Sequence, residues 1–139
     1  MTVSLGTSYI DARQYMFDAH KCKHGDEPPP LTFTNVPDGT ASLAVQVYDS
    51  TKDFTHWLAW DVGTAQQKVG LNSYNRCDYR APCPPAADGV HEYVVTAYAL
   101  TRVPDALQVP ACTVTKAIFD NAMKAAAPVT ARTKMFFAN

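Results

Sequence analysis

The sequence holds no apolar run approaching the roughly 18 to 20 residues that a membrane-spanning helix needs. It also lacks a basic cluster: its 12 Lys and Arg are scattered and balanced by 13 Asp and Glu, for a formal net charge of −1. That pattern gives no electrostatic footprint for nucleic acid or for an anionic membrane surface, so neither is expected as a partner. The opening Met1-Thr-Val-Ser-Leu-Gly6 has neither the basic start nor the apolar core of a secretion signal. A cytoplasmic location is therefore expected, with a periplasmic or secreted one if a leader has been removed. Repeats, low-complexity stretches and long linkers are missing, as are the motifs G-x-S-x-G, H-E-x-x-H, G-x-G-x-x-G and the phosphate loop. Hydrolase and nucleotide-binding functions lose their usual supports.

Cysteine is sparse. Cys22, Cys77, Cys83 and Cys112 suffice for two disulfides in an oxidising compartment, but Cys22-Lys-His24 and Cys77-x5-Cys83 do not have the close C-x2-C pairing of a structural zinc site. What remains is an ordinary globular composition in 139 residues, enough for one domain, residues 1–139, with a real core.

The periodicity up to Pro110 is that of strands. Ser42–Asp49 alternates Leu43, Val45 and Val47 against Ala44, Gln46 and Tyr48, just after the turn signal Pro37-Asp-Gly39. A second strand spans Thr55–Val62, with His56, Leu58, Trp60 and Val62 on one face and Trp57, Ala59 and Asp61 on the other; the two tryptophans are expected in the core. Gly70 to Asp88 is rich in Gly, Asn, Pro and Asp and reads as an ordered surface loop. It feeds the strand Val90–Leu100, whose alternation puts His91, Tyr93, Val95, Ala97 and Ala99 on one face, so His91 and Tyr93 are neighbours beside the proline-built Ala81-Pro-Cys-Pro-Pro85.

After Pro110 the spacing becomes helical. Thr113 or Thr115 can cap a helix of about four turns whose apolar side is Val114, Ala117, Ile118, Asn121, Ala122 and Ala125, with Pro128 as its stop. The closing Ala131–Ala138 has the aromatics of a strand that pairs back onto a sheet edge. These elements imply a mainly β sandwich or barrel with one C-terminal helix.

Seven short motifs then follow in collinear order: Pro28-Pro-Pro-Leu-Thr-Phe33, Val36–Ala44, Tyr48-Asp49, His56-Trp57, Gly70-Leu-Asn72, Ala81–Pro85 and Gly89-Val-His91 with Tyr93. Between Ser4 and Leu100 the chain resembles the phosphatidylethanolamine-binding proteins, in the short bacterial form also called Raf-kinase-inhibitor-like. The resemblance implies an antiparallel Greek-key β sandwich of two sheets and a small anion-accepting pocket at one end. Asp49 matches the first Asp of the family's Asp-Pro-Asp-x-Pro motif, His56 its pocket His, Pro84 and Pro85 its proline loop, and His91 and Tyr93 its Gly-x-His-Arg-Tyr motif.

Three departures stand out: Ser50-Thr-Lys-Asp53 replaces Pro-Asp-x-Pro, Glu92 replaces the usual Arg, and only Gly63 to Val69 separates Val62 from Gly70. Many relatives carry a longer connection there, and its trimming is expected to open the site to a larger ligand.

Physical chemistry suits the same residues to an anion. An imidazole held by a carboxylate, as Asp49 could hold His56 or His91, keeps one tautomer and becomes more basic. Prolines fix the loop, an X-Pro bond in a tight turn being a candidate for cis, and Tyr93 can donate to the anion.

The expected function is a binding module for a small anionic molecule or lipid head group, built from Asp49, His56, Pro84, Pro85, His91 and Tyr93. An enzyme is the alternative, with His56 or His91 as general acid or base, Asp49 as orienter and Tyr93 as proton donor or oxyanion partner, for coupling, cyclisation or isomerisation of an acidic intermediate. The third is a kinase or protease regulator, with a protein partner bound by surface contact. Asp49, His56 and His91 also make up a two-His, one-carboxylate set, but the resemblance implies neither metal nor organic cofactor. Cys83 beside Pro84 is not expected to act as a nucleophile.

Overall fold

A computed structural model describes residues 1–22, 27–64, 75–76, 79–126 and 129–139. Two antiparallel sheets organise it. The smaller pairs β1 (Thr2–Leu5) with β2 (Leu31–Thr34), in a register that sets Leu5 opposite Leu31. The larger has the order β5-β4-β3-β6-β7, made from β3 (Ser42–Asp49), β4 (Phe54–Val62), the two-residue β5 (Asn75–Arg76), β6 (His91–Leu100) and β7 (Val129–Phe137). Between β6 and β7 lies the helix α1 (Lys116–Ala126). Fold class and C-terminal helix are therefore those expected, and β7 is the tail pairing back onto β6.

The large sheet is covered on both faces, which is why β3 is buried along nearly its whole length rather than at alternate positions. On one face Leu43, Val45, Val47, Trp57, Val95 and Ala97 pack with Val3, Leu5 and Leu31 of the small sheet. On the other, Ala44, Leu58, Trp60 and Leu100 pack under Phe119, Ala122 and Met123 of α1. Trp57 and Trp60 are both core residues, on opposite faces. Full burial of each such large apolar side chain contributes about 1.5 to 3 kcal/mol.

The helix begins where Thr115 Oγ1 accepts from the Ile118 amide, 3.2 Å away, in the manner of an N-cap. Its buried side differs from the one the spacing suggested. Val114 and Ala122 face inward as expected, but Ile118 is 40% exposed and Ala117, Asn121 and Ala125 also point outward, while Phe119 and Met123 fill the core. The aromatic ring at Phe119 takes the deepest position, edge-on to Tyr98 of β6, and thereby sets the helix rotation. The helix runs to Ala126; the stop assigned to Pro128 lies outside the described residues.

Strand β4 also departs from simple alternation. Its pairing with β3 shifts register between Leu43 and Val45 and again between Val47 and Tyr48. Each shift inserts an unpaired residue on β4, as a β-bulge does, and a bulge re-aims the side chains beside it. Asp61, next to the first, has a left-handed φ of 61°. Leu58 and Trp60 therefore lie under the helix, whereas Val62 joins Trp57 and Ala59 on the opposite face. The second shift pairs Val47 with Trp57 and Tyr48 with Thr55, leaving His56 as the extra residue.

Candidate functional site

Strand register brings the site together. Asp49, last in β3, pairs with Tyr93, and His91 opens β6 two residues earlier on the same face. His91 Nδ1 lies 2.7 Å from Asp49 Oδ2, both side chains being almost wholly buried. The other oxygen, Oδ1, accepts from the amides of Thr51 at 2.9 Å and Lys52 at 3.0 Å. One carboxylate thus closes the β3–β4 turn and orients an imidazole. This is how Ser50-Thr-Lys-Asp53 works without the family's prolines: Asp49 caps the turn itself, and Ser50 N and Thr51 Oγ1 tie it to the Glu92 backbone at 3.0 Å each.

His56 has a different orienter. Its Nδ1 sits 2.6 Å from the Arg80 carbonyl, while the Arg80 amide donates to the His56 carbonyl at 2.9 Å. A carbonyl only accepts, so Nδ1 carries hydrogen and Nε2 is the nitrogen that sets the ring's charge. The Asp49 hydrogen bond belongs to His91 alone; Asp49 reaches His56 only as a more distant charge. Burial pushes the His56 pKa below its ordinary value, outweighing the Arg80 hydrogen bond and the Asp49 charge that favour the cation. The ring stands edge-on to Tyr93 at 5.3 Å and to Phe54 at 4.9 Å between centroids.

Tyr93 is buried and close to the Asp49 charge, and both raise its phenol pKa well above the ordinary value. It remains a protonated hydroxyl, suited to donating a hydrogen bond rather than a proton.

The proline loop forms the facing wall. Pro84 is buried and Pro85 exposed, and Pro85 leads into a single 3-10 turn, Ala86–Asp88. Among the described residues no peptide bond is cis, so all X-Pro bonds of this loop are trans and its shape has another support. That support is a disulfide, Cys22–Cys83, with Cα atoms 4.7 Å apart, reinforced by Cys22 N donating to Pro82 O at 3.0 Å. Cys83 therefore carries no thiol, and no nucleophilic chemistry falls to it. Cys112 is disulfide-bonded as well; Cys77 lies outside the described residues, as does most of the stretch from Gly63 to Val69.

A cavity of about 430 Å³ is bounded by Asp49, Lys52, Phe54, His56, Arg80, Ala81, Cys83, Pro84, Pro85, His91 and Tyr93. All six residues singled out in the sequence thus line one space. Three charged residues in or beside it were missed. Lys52 and Arg80 bring two cations to the rim, Arg80 with its guanidinium carbon 5.9 Å from the Phe54 ring centre. Asp88 stands 3.2 Å from His91 Nε2 and 3.2 Å from Lys52 Nζ. Only the position of Asp88 three residues before His91 hinted at it.

Glu92 points away from this space. Its carboxylate is held below the ordinary range by Lys134, 3.1 Å away on β7, and by the Ser50 hydroxyl. The acidic residue standing in place of the family's Arg thus forms a surface ion pair with Lys134.

A family model described as phosphatidylethanolamine-binding protein matches residues 7–137. A UPF0098 protein of Pyrococcus horikoshii is 32% identical over 114 residues, which cover 68% of this chain and 58% of that relative. The UPF0098 protein YbcL of Escherichia coli is 28% identical over 108 residues, covering 62% and 59%. The chain spans about three-fifths of the length of these curated relatives. The solved structure of Escherichia coli YbcL, described as a new member of the mammalian PEBP family, superposes with a TM-score of 0.78 at 21% identity, covering 99% of this chain and 98% of that one. A PEBP homologue of Chlamydia trachomatis does so with 0.77 at 23%, over the same shares. Shared fold and a match over nearly the whole length agree: the chain belongs to the phosphatidylethanolamine-binding protein family.

Proposed function

We propose that the chain binds a small anionic molecule, or an anionic head group, in the cavity between Asp49, His56, Pro84, Pro85, His91 and Tyr93. The observation that carries this is the convergence of Lys52, Arg80 and His91 on one cavity whose other walls are Phe54, Pro84 and Tyr93. Cationic donors beside apolar walls strengthen a hydrogen-bonded anion relative to water. The two histidines play unequal parts. His91, held between carboxylates, makes both ring hydrogen bonds only when both nitrogens carry hydrogen. His56, its pKa lowered by burial, is neutral at neutral pH and presents a lone pair at Nε2. A ligand that offers negative charge to Lys52 and Arg80 and a hydrogen-bond donor to His56 fits best; a phosphomonoester monoanion or a hydroxy acid has both.

For acid–base catalysis, the alternative reading, His56 Nε2 is the nitrogen placed to act as a base, whereas the Tyr93 phenol is a poor acid. The Cys22–Cys83 cystine beside the cavity favours a working place in an oxidising compartment over the cytoplasm.

The test is an NMR titration of the histidine rings with inorganic phosphate, phosphoethanolamine and short dicarboxylates at about pH 6 and pH 8, on either side of the ordinary imidazole value. Saturable shifts at His56 and His91, weakened by Lys52→Ala, are expected. Flat ring signals with every anion would overturn the proposal.

A further inference from the structure

We infer that Asp88 is a built-in occupant of the anion subsite, and that a ligand anion binds by displacing its carboxylate from His91 and Lys52. The inference rests on the anion-pocket proposal and deepens it.

His91 has one partner that is built in and one that is borrowed. Asp49 is fixed at a strand end with 5% of its side chain exposed, and it holds two backbone amides besides the ring. Asp88 ends a one-turn 3-10 segment with no buried residue, and its side chain is 25% exposed. A single oxygen, Oδ2, serves both His91 Nε2 and Lys52 Nζ. This is the arrangement an incoming carboxylate or phosphate oxygen would adopt, with the same charge and the same two donors.

The turn that carries Asp88 is easy to move. Every residue from Pro85 to Val90 is exposed, and the turn closes through one backbone hydrogen bond, Asp88 N to Pro85 O at 3.0 Å. The next residue, Gly89, has φ 70° and ψ −143°, a conformation that other residues adopt only under strain, and a Cβ placed there would meet nothing within 4 Å. Swinging Asp88 out disturbs no apolar core contact: its pair with the exposed Lys52 is weak, and the bond it gives up to the buried His91 Nε2 is the one an incoming anion replaces.

A self-occupied site binds its ligand more weakly by the fraction of time it stands open. Asp88 thus lowers the affinity of the cavity for any anion that must take both His91 Nε2 and Lys52 Nζ. Through Gly89, displacement also couples occupancy of the cavity to the shape of the exposed turn.

The test is calorimetric titration of the full chain with inorganic phosphate at about pH 7, comparing wild type, Asp88→Ala and Glu92→Gln. Glu92→Gln removes a nearby negative charge that touches neither His91 nor Lys52, and so measures the general electrostatic gain. Asp88→Ala is expected to tighten phosphate about tenfold, which corresponds to a subsite open about one-tenth of the time, and by clearly more than Glu92→Gln. The Gly89 amide signal of the wild type should shift as phosphate saturates. Equal gains in the two variants, or a still Gly89 amide, would overturn the displacement while leaving the anion pocket standing. Absence of phosphate binding in all three proteins would overturn the pocket itself and the displacement with it.

Discussion

His91 Nδ1 and Asp49 Oδ2 are 2.7 Å apart, one at the start of β6 and the other at the end of β3, in the most buried ionisable contact of the described residues. The pair shapes the site from beneath, because the same carboxylate also gathers the amides that turn the chain toward Lys52. Removing one partner of a buried pair leaves an uncompensated polar group. Asp49→Ala should therefore cost about 3 to 5 kcal/mol of stability, read as a lower midpoint in urea unfolding. A loss under about 1 kcal/mol, the worth of an exposed pair, would show that the contact is not a structural anchor.

His56 makes stability depend on pH in a defined direction. Burial places its folded pKa below the ordinary value, so the unfolded chain binds the proton first as pH falls. Above about pH 6.5, the ordinary imidazole value, both states are neutral and the residue contributes no pH dependence. As pH drops from there toward the folded value, stability falls. The unfolding midpoint of the wild type should decline more between pH 7.5 and 5.5 than that of His56→Gln. Parallel declines, or a ring that titrates by NMR at or above its ordinary value, would contradict the desolvated placement.

How far the site was legible follows from this residue. His91 and Tyr93 share a face by strand alternation, and they were placed together because β6 has no register shift against β3. His56 sits on β4 at a bulge, and nothing in an alternating pattern announces one; it was found through a motif, and its partner Arg80 through neither. Lys52 and Asp88 belong to turns, where direction depends on backbone geometry rather than on period. The cystine pairing was open because four cysteines allow three connectivities; only the fold shows Cys22 beside Cys83.

The helix shows the same limit at larger scale. Its spacing supports more than one apolar stripe, and the one containing Phe119 prevails because a ring fills the space over Ala44 and Trp60 better than Ile118 would. Phe119→Ala should cost about 3 to 5 kcal/mol through the cavity it leaves. Ile118→Ala, at a position 40% exposed, should change stability by less than about 1 kcal/mol, as surface substitutions do. Thermal unfolding of the two variants compares them directly, and a reversed order would mean that the helix presents its other face.

The Cys22–Cys83 bond joins positions 61 residues apart and bears on both stability and the site. On the chain-entropy account, closing a loop of that length stabilises the fold by about 4 kcal/mol, since it removes conformations from the unfolded chain. Cys83 also lines the cavity, and Cys22 anchors Pro82 of the same loop. The cystine and this hydrogen bond add to the two Arg80–His56 hydrogen bonds in holding the proline wall against His56 and Tyr93. The double variant Cys22→Ser, Cys83→Ser should unfold at a lower urea midpoint and, under conditions where it is still folded, should bind phosphate more weakly than the wild type. Should stability fall while phosphate affinity holds, the proline wall would be rigid on its own and the bond would serve only the fold.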